Sequence, residues 1–305
     1  LLKRLIKLAG IAAVLGAAIF WYLTSPNPLP DDMLTDIDNG DAEKGKLVFY
    51  AGGCGSCHAE KGAKGENKLL LGGRHALNTP FGTFYAPNIS PHKEKGIGNW
   101  TGAQFASAMM RGISPDGSHY YPAFPFTSYA RMNIEDVGDL WAYLKTLKPV
   151  DVSNLDHDLP LLFKVRRGLG LWKILFLSDK PIVEIDESNP QLVRGRYLVE
   201  GPGHCGECHT PRYLIGGINK SKWLVGGPTP EGKGNIPNIT PHKSGIGSWT
   251  AADIAYSLES GFTPSFDSFG SSMVSVQENM AQLPASDREA IAAYLKVVEP
   301  LETEK

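Results

Sequence analysis

Cys54-Gly55-Ser56-Cys57-His58 and Cys205-Gly206-Glu207-Cys208-His209 are two copies of one pattern, and together they use all four cysteines of this 305-residue chain. Two thiols separated by two residues and followed at once by a histidine meet the needs of a c-type haem. They supply two thioether links to the porphyrin edge and an imidazole under the iron. A single pair of cysteines at this spacing would also suit a redox dithiol or half of a zinc site. Here no further cysteine remains to complete a zinc tetrahedron or form a separate disulfide. The expectation is two covalently bound haems c, attached at Cys54, Cys57, Cys205 and Cys208, with His58 and His209 as the proximal iron ligands.

Working outward from the two motifs, an internal repeat of about 150 residues becomes visible. Pro87-Asn88-Ile89-Ser90-Pro91-His92-Lys93 returns as Pro237-Asn238-Ile239-Thr240-Pro241-His242-Lys243. Gly96-Ile97-Gly98-Asn99-Trp100-Thr101 returns as Gly245-Ile246-Gly247-Ser248-Trp249-Thr250, and Ala142-Tyr143-Leu144-Lys145 as Ala293-Tyr294-Leu295-Lys296. Within each copy the helices can be placed. Asp41 is positioned to cap a helix over Ala42 to Tyr50. Thr101 with Gln104, and Thr250 with Asp253, form capping boxes for helices that end at Gly112 and Gly261. A final helix over Asn133 to Lys148 presents Val137, Leu140, Trp141, Leu144 and Leu147 on one face. Its counterpart is expected to start at a box from Ser286 to Glu289 and stop at Pro300. Each copy is thus a few helices joined by long loops around a haem that itself forms much of the core.

The flanking segments read differently. Residues 1–24 open with Lys3, Arg4 and Lys7, run apolar from Leu8 to Leu23 and close with Trp21 and Tyr22, the pattern of a membrane-spanning anchor whose positive end stays cytoplasmic. A cleaved signal peptide is the alternative, although no small-x-small site follows Leu23. Residues 25–40 read as a stiff polar linker holding the first haem domain off the membrane. The domain plan is therefore anchor 1–24, linker 25–40, first haem domain 41–150, connection 151–190 and second haem domain 191–305. The connection is interrupted by too much charge to span a bilayer. It reads as a segment packing across both domains, or as an apolar, partly basic patch that docks on lipid or a partner. A formal net charge of −2 excludes the basic excess of a nucleic-acid binder.

The sixth iron position is less evenly signposted. A methionine thioether favours reduced iron and is the usual choice in electron carriers. For haem 2, Met273 in the loop Gly270-Ser271-Ser272-Met273 is preferred to Met280. For haem 1 the repeat aligns Met273 with Phe124 or Pro122, neither of which binds iron. Met132 is the candidate there, with His119 or an open position as alternatives; a hydrophobic staple from Met132 to Val137 would explain it without iron. Met33, Met109 and Met110 lie in the linker or on a core-facing helix. Asn88, Trp100, Asn238 and Trp249 are expected to contact haem or its propionates, or else to stabilise loops. His92 and His242 read as solvent-facing.

The haem motifs taken with Leu71-Gly72-Gly73-Arg74, Thr79-Pro80-Phe81-Gly82-Thr83-Phe84-Tyr85-Ala86-Pro87-Asn88-Ile89, Tyr121-Pro122-Ala123-Phe124-Pro125 and Ser128-Tyr129-Ala130 resemble the multihaem cytochrome c subunits of membrane-bound alcohol, gluconate and related dehydrogenases. That resemblance covers nearly everything from residue 41 onward. It implies a mainly α fold of two tandem class I cytochrome c-like domains behind an N-terminal transmembrane helix. It also implies a role outside the cytoplasmic membrane of a bacterium, in the periplasm, passing electrons from a flavin- or quinone-cofactor subunit to the respiratory chain. Many such subunits carry three haem motifs rather than two, and Phe124 stands where many have methionine. Two functions follow. The first is a relay linking a periplasmic dehydrogenase subunit, or a quinol-oxidising complex, to a terminal oxidase. The second is a dihaem peroxidase or sulfur-compound oxidoreductase with a displaceable position at haem 1.

Overall fold

The computed structural model describes residues 1–229 and 234–303. Its first element, α1 (Leu2–Leu23), has no buried side chain, and among the described residues it is the one helix long and apolar enough to cross a bilayer. At ~1.5 Å per residue it is about 33 Å long, against a hydrocarbon thickness of ~30 Å.

In the first repeat the Asp41 carboxylate accepts from the N–H groups of Glu43 and Lys44 and starts α2 (Ala42–Ala51). Gly53, at φ 56°, turns the chain into α3 (Cys54–His58). An antiparallel hairpin, β1 (Ala76–Thr79) and β2 (Gly82–Tyr85), pairs Ala76 with Tyr85. The capping box of Thr101 and Gln104 forms, and α4 (Gly102–Arg111) ends at Gly112 in the left-handed region, φ 61°. Next come α5 (Phe126–Tyr129) and α6 (Ile134–Thr146). The connection carries α7 (Leu169–Phe176). The second repeat follows the same order: α8 (Pro190–Glu200), α9 (Gly206–His209), the hairpin β3 (Gly227–Pro228) and β4 (Asn235–Ile236), then α10 (Ala251–Ser260), α11 (Met273–Met280) and α12 (Ala285–Val297). The Thr250 and Asp253 box forms, and Gly261 closes α10.

Each repeat is locked where its first and last helices cross at a glycine. A Cβ at Gly45 of α2 would lie 1.9 Å from the Asp139 carbonyl oxygen of α6, and one at Gly195 of α8 would lie 2.0 Å from the Ala290 carbonyl oxygen of α12. Only a residue without a side chain allows such contact. Around the first crossing Phe49, Leu71, Val137, Leu140 and Leu144 are buried, and Phe105 stacks on Trp141 with centroids 5.1 Å apart. Around the second, Leu198, Val199, Leu224, Ile291 and Tyr294 are buried. Tyr50, at the end of α2, packs on both cores.

Three expectations are corrected. Residues 25–40 are no free spacer: Leu29, Leu34 and Ile37 are buried in the first core. The Leu29 N–H donates to Ser107 Oγ at 3.2 Å, and Trp141 Nε1–H donates to Asp38 Oδ1 at 3.0 Å. Three apolar side chains, each stabilised by roughly 1.5–3 kcal/mol on burial, outweigh the polar residues around them. The Ser286 to Glu289 box does not form, because α12 starts earlier. Pro284 occupies the cap position, and the first-turn Asp287 is committed to Arg194 across the helix pair at 2.8 Å. The last helix of the first repeat is shorter than Asn133 to Lys148, since Asn133 and Leu147 only flank α6 in extended conformations.

The connection binds both repeats. Asp158 and Thr83 exchange backbone hydrogen bonds, Arg131 donates to the Lys180 carbonyl oxygen at 2.8 Å, and the N–H groups of Ile182 and Val183 donate to the buried Glu200 carboxylate.

Candidate functional site

The two Cys-Gly-x-Cys-His stretches fold as single helical turns, which set both thiols and the imidazole on one short rigid unit. The glycine inside each motif is required sterically. A Cβ at Gly206 would come within 2.0 Å of Trp223 Cζ3, and one at Gly55 within 2.9 Å of the Lys68 carbonyl oxygen. Each turn is then stapled in the same way to a glycine that itself packs closely against the repeated Pro-Asn-Ile loop. The Gly73 N–H donates to the His58 carbonyl oxygen and the Gly226 N–H to that of His209, both at 2.7 Å.

That loop also orients the histidines. His58 Nδ1 lies 2.7 Å from the Pro87 carbonyl oxygen, and His209 Nδ1 lies 2.9 Å from that of Pro237. A carbonyl can only accept, so Nδ1 carries the proton in both rings and Nε2 keeps its lone pair. Burial lowers the basicity of both imidazoles, opposed by these carbonyl contacts. Both rings are thus held neutral in the tautomer that ligates through Nε2.

Burial pushes the thiols of Cys54 and Cys205 up to about 12. None of the four cysteines is in a disulfide. Thiols held protonated in this way are poor thiolate nucleophiles for disulfide exchange. Among the described residues no group of three or more His, Cys, Asp or Glu could hold a free metal ion. The donor set fits covalent haem.

The two motifs adjoin. Burial, and then the neighbouring Cys208, raise the Cys57 thiol, so the second cysteines of the two motifs lie within electrostatic reach of each other. His204, directly before the second motif, donates from Nε2 to the Gly52 carbonyl oxygen at 3.2 Å, and its ring lies against Tyr129 at 5.7 Å. The variable residue of each motif reaches into the other repeat. Ser56 Oγ accepts from Asn279 Nδ2 of α11 at 2.9 Å. Glu207 Oε1 accepts from Thr127 Oγ1 at 2.8 Å and Ser128 Oγ at 3.0 Å, both on α5, while Arg212 holds Oε2 at 2.6 Å. Burial pushes the Glu207 carboxyl upward, but Arg212 and Thr127 outweigh it and hold it below the ordinary range.

The remaining candidates divide. Met132 is buried in the first core, against which Cys54 also packs, and its N–H donates to the Tyr129 carbonyl oxygen. Val137 is buried in the same core, so the hydrophobic staple is compatible with this position. Met273 begins α11 and is half-buried, whereas Met280, at the other end of that helix, is buried in the second core. Phe124 lies edge-on to the rings of Tyr120, Phe126 and Tyr129. His119 is committed elsewhere: its Nε2 meets the Thr24 carbonyl oxygen at 2.9 Å and its Nδ1 meets Lys173 Nζ at 3.0 Å.

Asn88 and Asn238 both stabilise their loops. Asn88 Nδ2 donates to the carbonyls of Val150 and Val152, and its Oδ1 accepts from Ser90. Asn238 Nδ2 donates to the Leu301 carbonyl oxygen, and its Oδ1 accepts from the Thr240 N–H. Both amides bond to backbone and to neighbouring hydroxyls, Asn88 with Ser90 Oγ and Asn238 with Thr303 Oγ1. Trp100 and Trp249 are half-buried and pack on the edges of the two cores. His92 and His242 accept loop N–H bonds through Nδ1.

Residues 42–148 match the cytochrome c family model. Over 296 residues the chain is 53% identical to a diheme cytochrome c-type protein of Cereibacter sphaeroides, an alignment covering 96% of this chain and 98% of that one. The chain belongs to the cytochrome c family. This cytochrome is also 39% identical over 258 residues to the fructose dehydrogenase cytochrome subunit of Gluconobacter japonicus, covering 84% of the present chain and 52% of the relative. With the gluconate 2-dehydrogenase cytochrome c subunit of Pantoea cypripedii it shares 33% identity over 295 residues, covering 94% and 64%. It therefore spans about half to two thirds of the length of those dehydrogenase subunits. As a cytochrome c it binds haem covalently and works in electron transfer rather than as a catalytic subunit.

Proposed function

We propose that this cytochrome is a membrane-anchored dihaem relay carrying one haem c on each motif. It would take single electrons from the catalytic subunit of a periplasmic dehydrogenase, or from a quinol-oxidising complex, and pass them toward the respiratory chain. The observation that carries the reading is the direct abutment of the two motifs, with Cys57 and Cys208 within electrostatic reach and each motif's variable residue bonded into the other repeat. Bound haem supplies reversible one-electron transfer. Everything else is done by the chain. Cys54, Cys57, Cys205 and Cys208 fix the groups, and His58 and His209 ligate through Nε2. Met132 and Met273 would each supply a thioether ligand to one haem iron. Trp100 and Trp249 pack against the porphyrin edges. The exposed α1 supports insertion in the bacterial inner membrane, with Lys3, Arg4 and Lys7 on the cytoplasmic side and the folded repeats in the periplasm.

The test is a redox titration of the full chain followed by low-temperature EPR and near-infrared absorbance, repeated on Met132→Leu and Met273→Leu. The relay predicts two reversible one-electron transitions and two low-spin His/Met irons, one lost in each variant, with no peroxide turnover. A high-spin ferric iron in the unaltered protein together with peroxide turnover would overturn it in favour of an enzyme acting at haem 1.

A further inference from the structure

The connection between the repeats leaves a run of large apolar side chains facing outward. Leu161 is 82% exposed, Leu162 78% and Leu175 69%. Leu214, on the turn that follows the second haem motif, is 99% exposed. These belong to one surface. Trp172 Nε1 of α7 donates to the Ile215 carbonyl oxygen at 2.9 Å, Gly216 packs on Phe81, and Phe81 meets Phe163 edge to face at 5.5 Å. The surface thus draws on both repeats as well as the connection.

It is also continuous with the end of α1. Arg167 donates to the Trp21 carbonyl oxygen at 2.7 Å, to Thr24 Oγ1 at 2.9 Å and to Ser25 Oγ at 3.0 Å, and lies 4.1 Å over the Trp21 ring. Gly170 of α7 approaches so closely that a Cβ there would lie 2.6 Å from Thr24 Cα. The helix that would leave the bilayer at Trp21 is therefore clamped to the connection, with no slack chain between them. Between Leu159 and Ser178 the sequence holds no acidic residue, and Lys164, Arg166 and Arg167 give this face its positive charge, while the buried Lys173 turns inward to the Arg111 and Gly112 carbonyls.

We propose that this surface is a second membrane contact, lying in the boundary between headgroups and acyl chains of the leaflet from which α1 emerges. An apolar, cationic surface fixed beside the aromatic end of a spanning helix has the composition of an interfacial anchor, and its charge complements anionic headgroups. Together the two contacts seat both repeats on the bilayer in one orientation instead of leaving them to swing on a single helix. The proposal rests on the reading of α1 as a membrane anchor.

The experiment uses the full haem-loaded chain in liposomes of phosphatidylglycerol and a phosphatidylcholine bearing a photoactivatable diazirine in its acyl chain, with adducts mapped by peptide mass spectrometry. The expected result is labelling of residues 161–175 and 213–215 as well as α1. Leu161→Glu, Leu162→Glu, Leu175→Glu and Leu214→Glu combined should abolish the first two and spare the third. Label on α1 alone, as when a protein partner covers the patch, overturns the second contact and leaves the anchor standing. Absence of label from both overturns the anchor as well.

Discussion

Glu207→Gln removes one negative charge and almost no volume, and its cost can be worked from three contacts. In the native protein Thr127 Oγ1 and Ser128 Oγ donate to Oε1, and Arg212 donates to Oε2. Hydrogen bonds to a charged group contribute about 1.5–3 kcal/mol against roughly 0.5–1.5 kcal/mol for neutral ones, so the two hydroxyl contacts weaken by ~1 kcal/mol each. The new amide N–H₂ faces Arg212, donor to donor, and that pairing is lost. Arg212 is 34% exposed and keeps its bond to the Glu207 carbonyl oxygen at 2.8 Å. Its loss is therefore nearer the ~1 kcal/mol of a half-solvated ion pair than the larger cost of an isolated buried charge. The sum is about 3 kcal/mol, or roughly a hundredfold in the folding equilibrium. Guanidinium unfolding followed by far-UV circular dichroism measures it. A double-mutant cycle with Thr127→Val should return a coupling of about 1 kcal/mol between the repeats. A loss below ~0.5 kcal/mol for Glu207→Gln would refute the idea that this carboxylate braces the two motifs against each other.

Gly206→Ala drives a methyl into Trp223 and costs about 1–3 kcal/mol of overpacking strain, so haem attachment at the second motif should drop while the first stays filled. Gly55→Ala, whose Cβ meets only a carbonyl oxygen at 2.9 Å, should do less at its own motif. Intact-mass counting of haem per chain decides both, and full double occupancy in Gly206→Ala would reject the steric argument. Lys173 donates to the carbonyls of Arg111 and Gly112, and burial pushes it down from 10.5 to about 7. Between those values the unfolded chain holds the extra proton, so stability rises with pH across that window, by at most about 5 kcal/mol. The difference in unfolding free energy between the native chain and Lys173→Met should therefore change from pH 7 to 10.5; a constant difference would contradict the buried environment of the amine.

The sequence by itself settled most of what depends on local spacing, the Ser286 to Glu289 box excepted. The CxxCH motifs, the repeat, the capping boxes at Thr101 and Thr250 and the apolar length of α1 all reside in contiguous stretches, and covalent geometry or one helical turn is enough to read them. It missed what depends on where distant stretches meet. That the Asn88 and Asn238 amides tie their loops to the chain beyond each repeat, at Val150 to Val152 and Leu301, is seen only in the fold. His119 is a plausible ligand until Thr24 and Lys173 are seen to hold both ring nitrogens. Residues 25–40 look like a spacer because burial of Leu29, Leu34 and Ile37 requires a surface made by α4 and α6. The interlock of Ser56 with Asn279 and of Glu207 with Thr127 and Ser128 left no trace in either motif, since a serine and a glutamate at variable positions are indistinguishable from solvent-facing residues until a second repeat covers them. Tertiary structure decided these points because burial and hydrogen-bond pairing belong to pairs of residues far apart in the chain, and no local pattern encodes which partner will arrive.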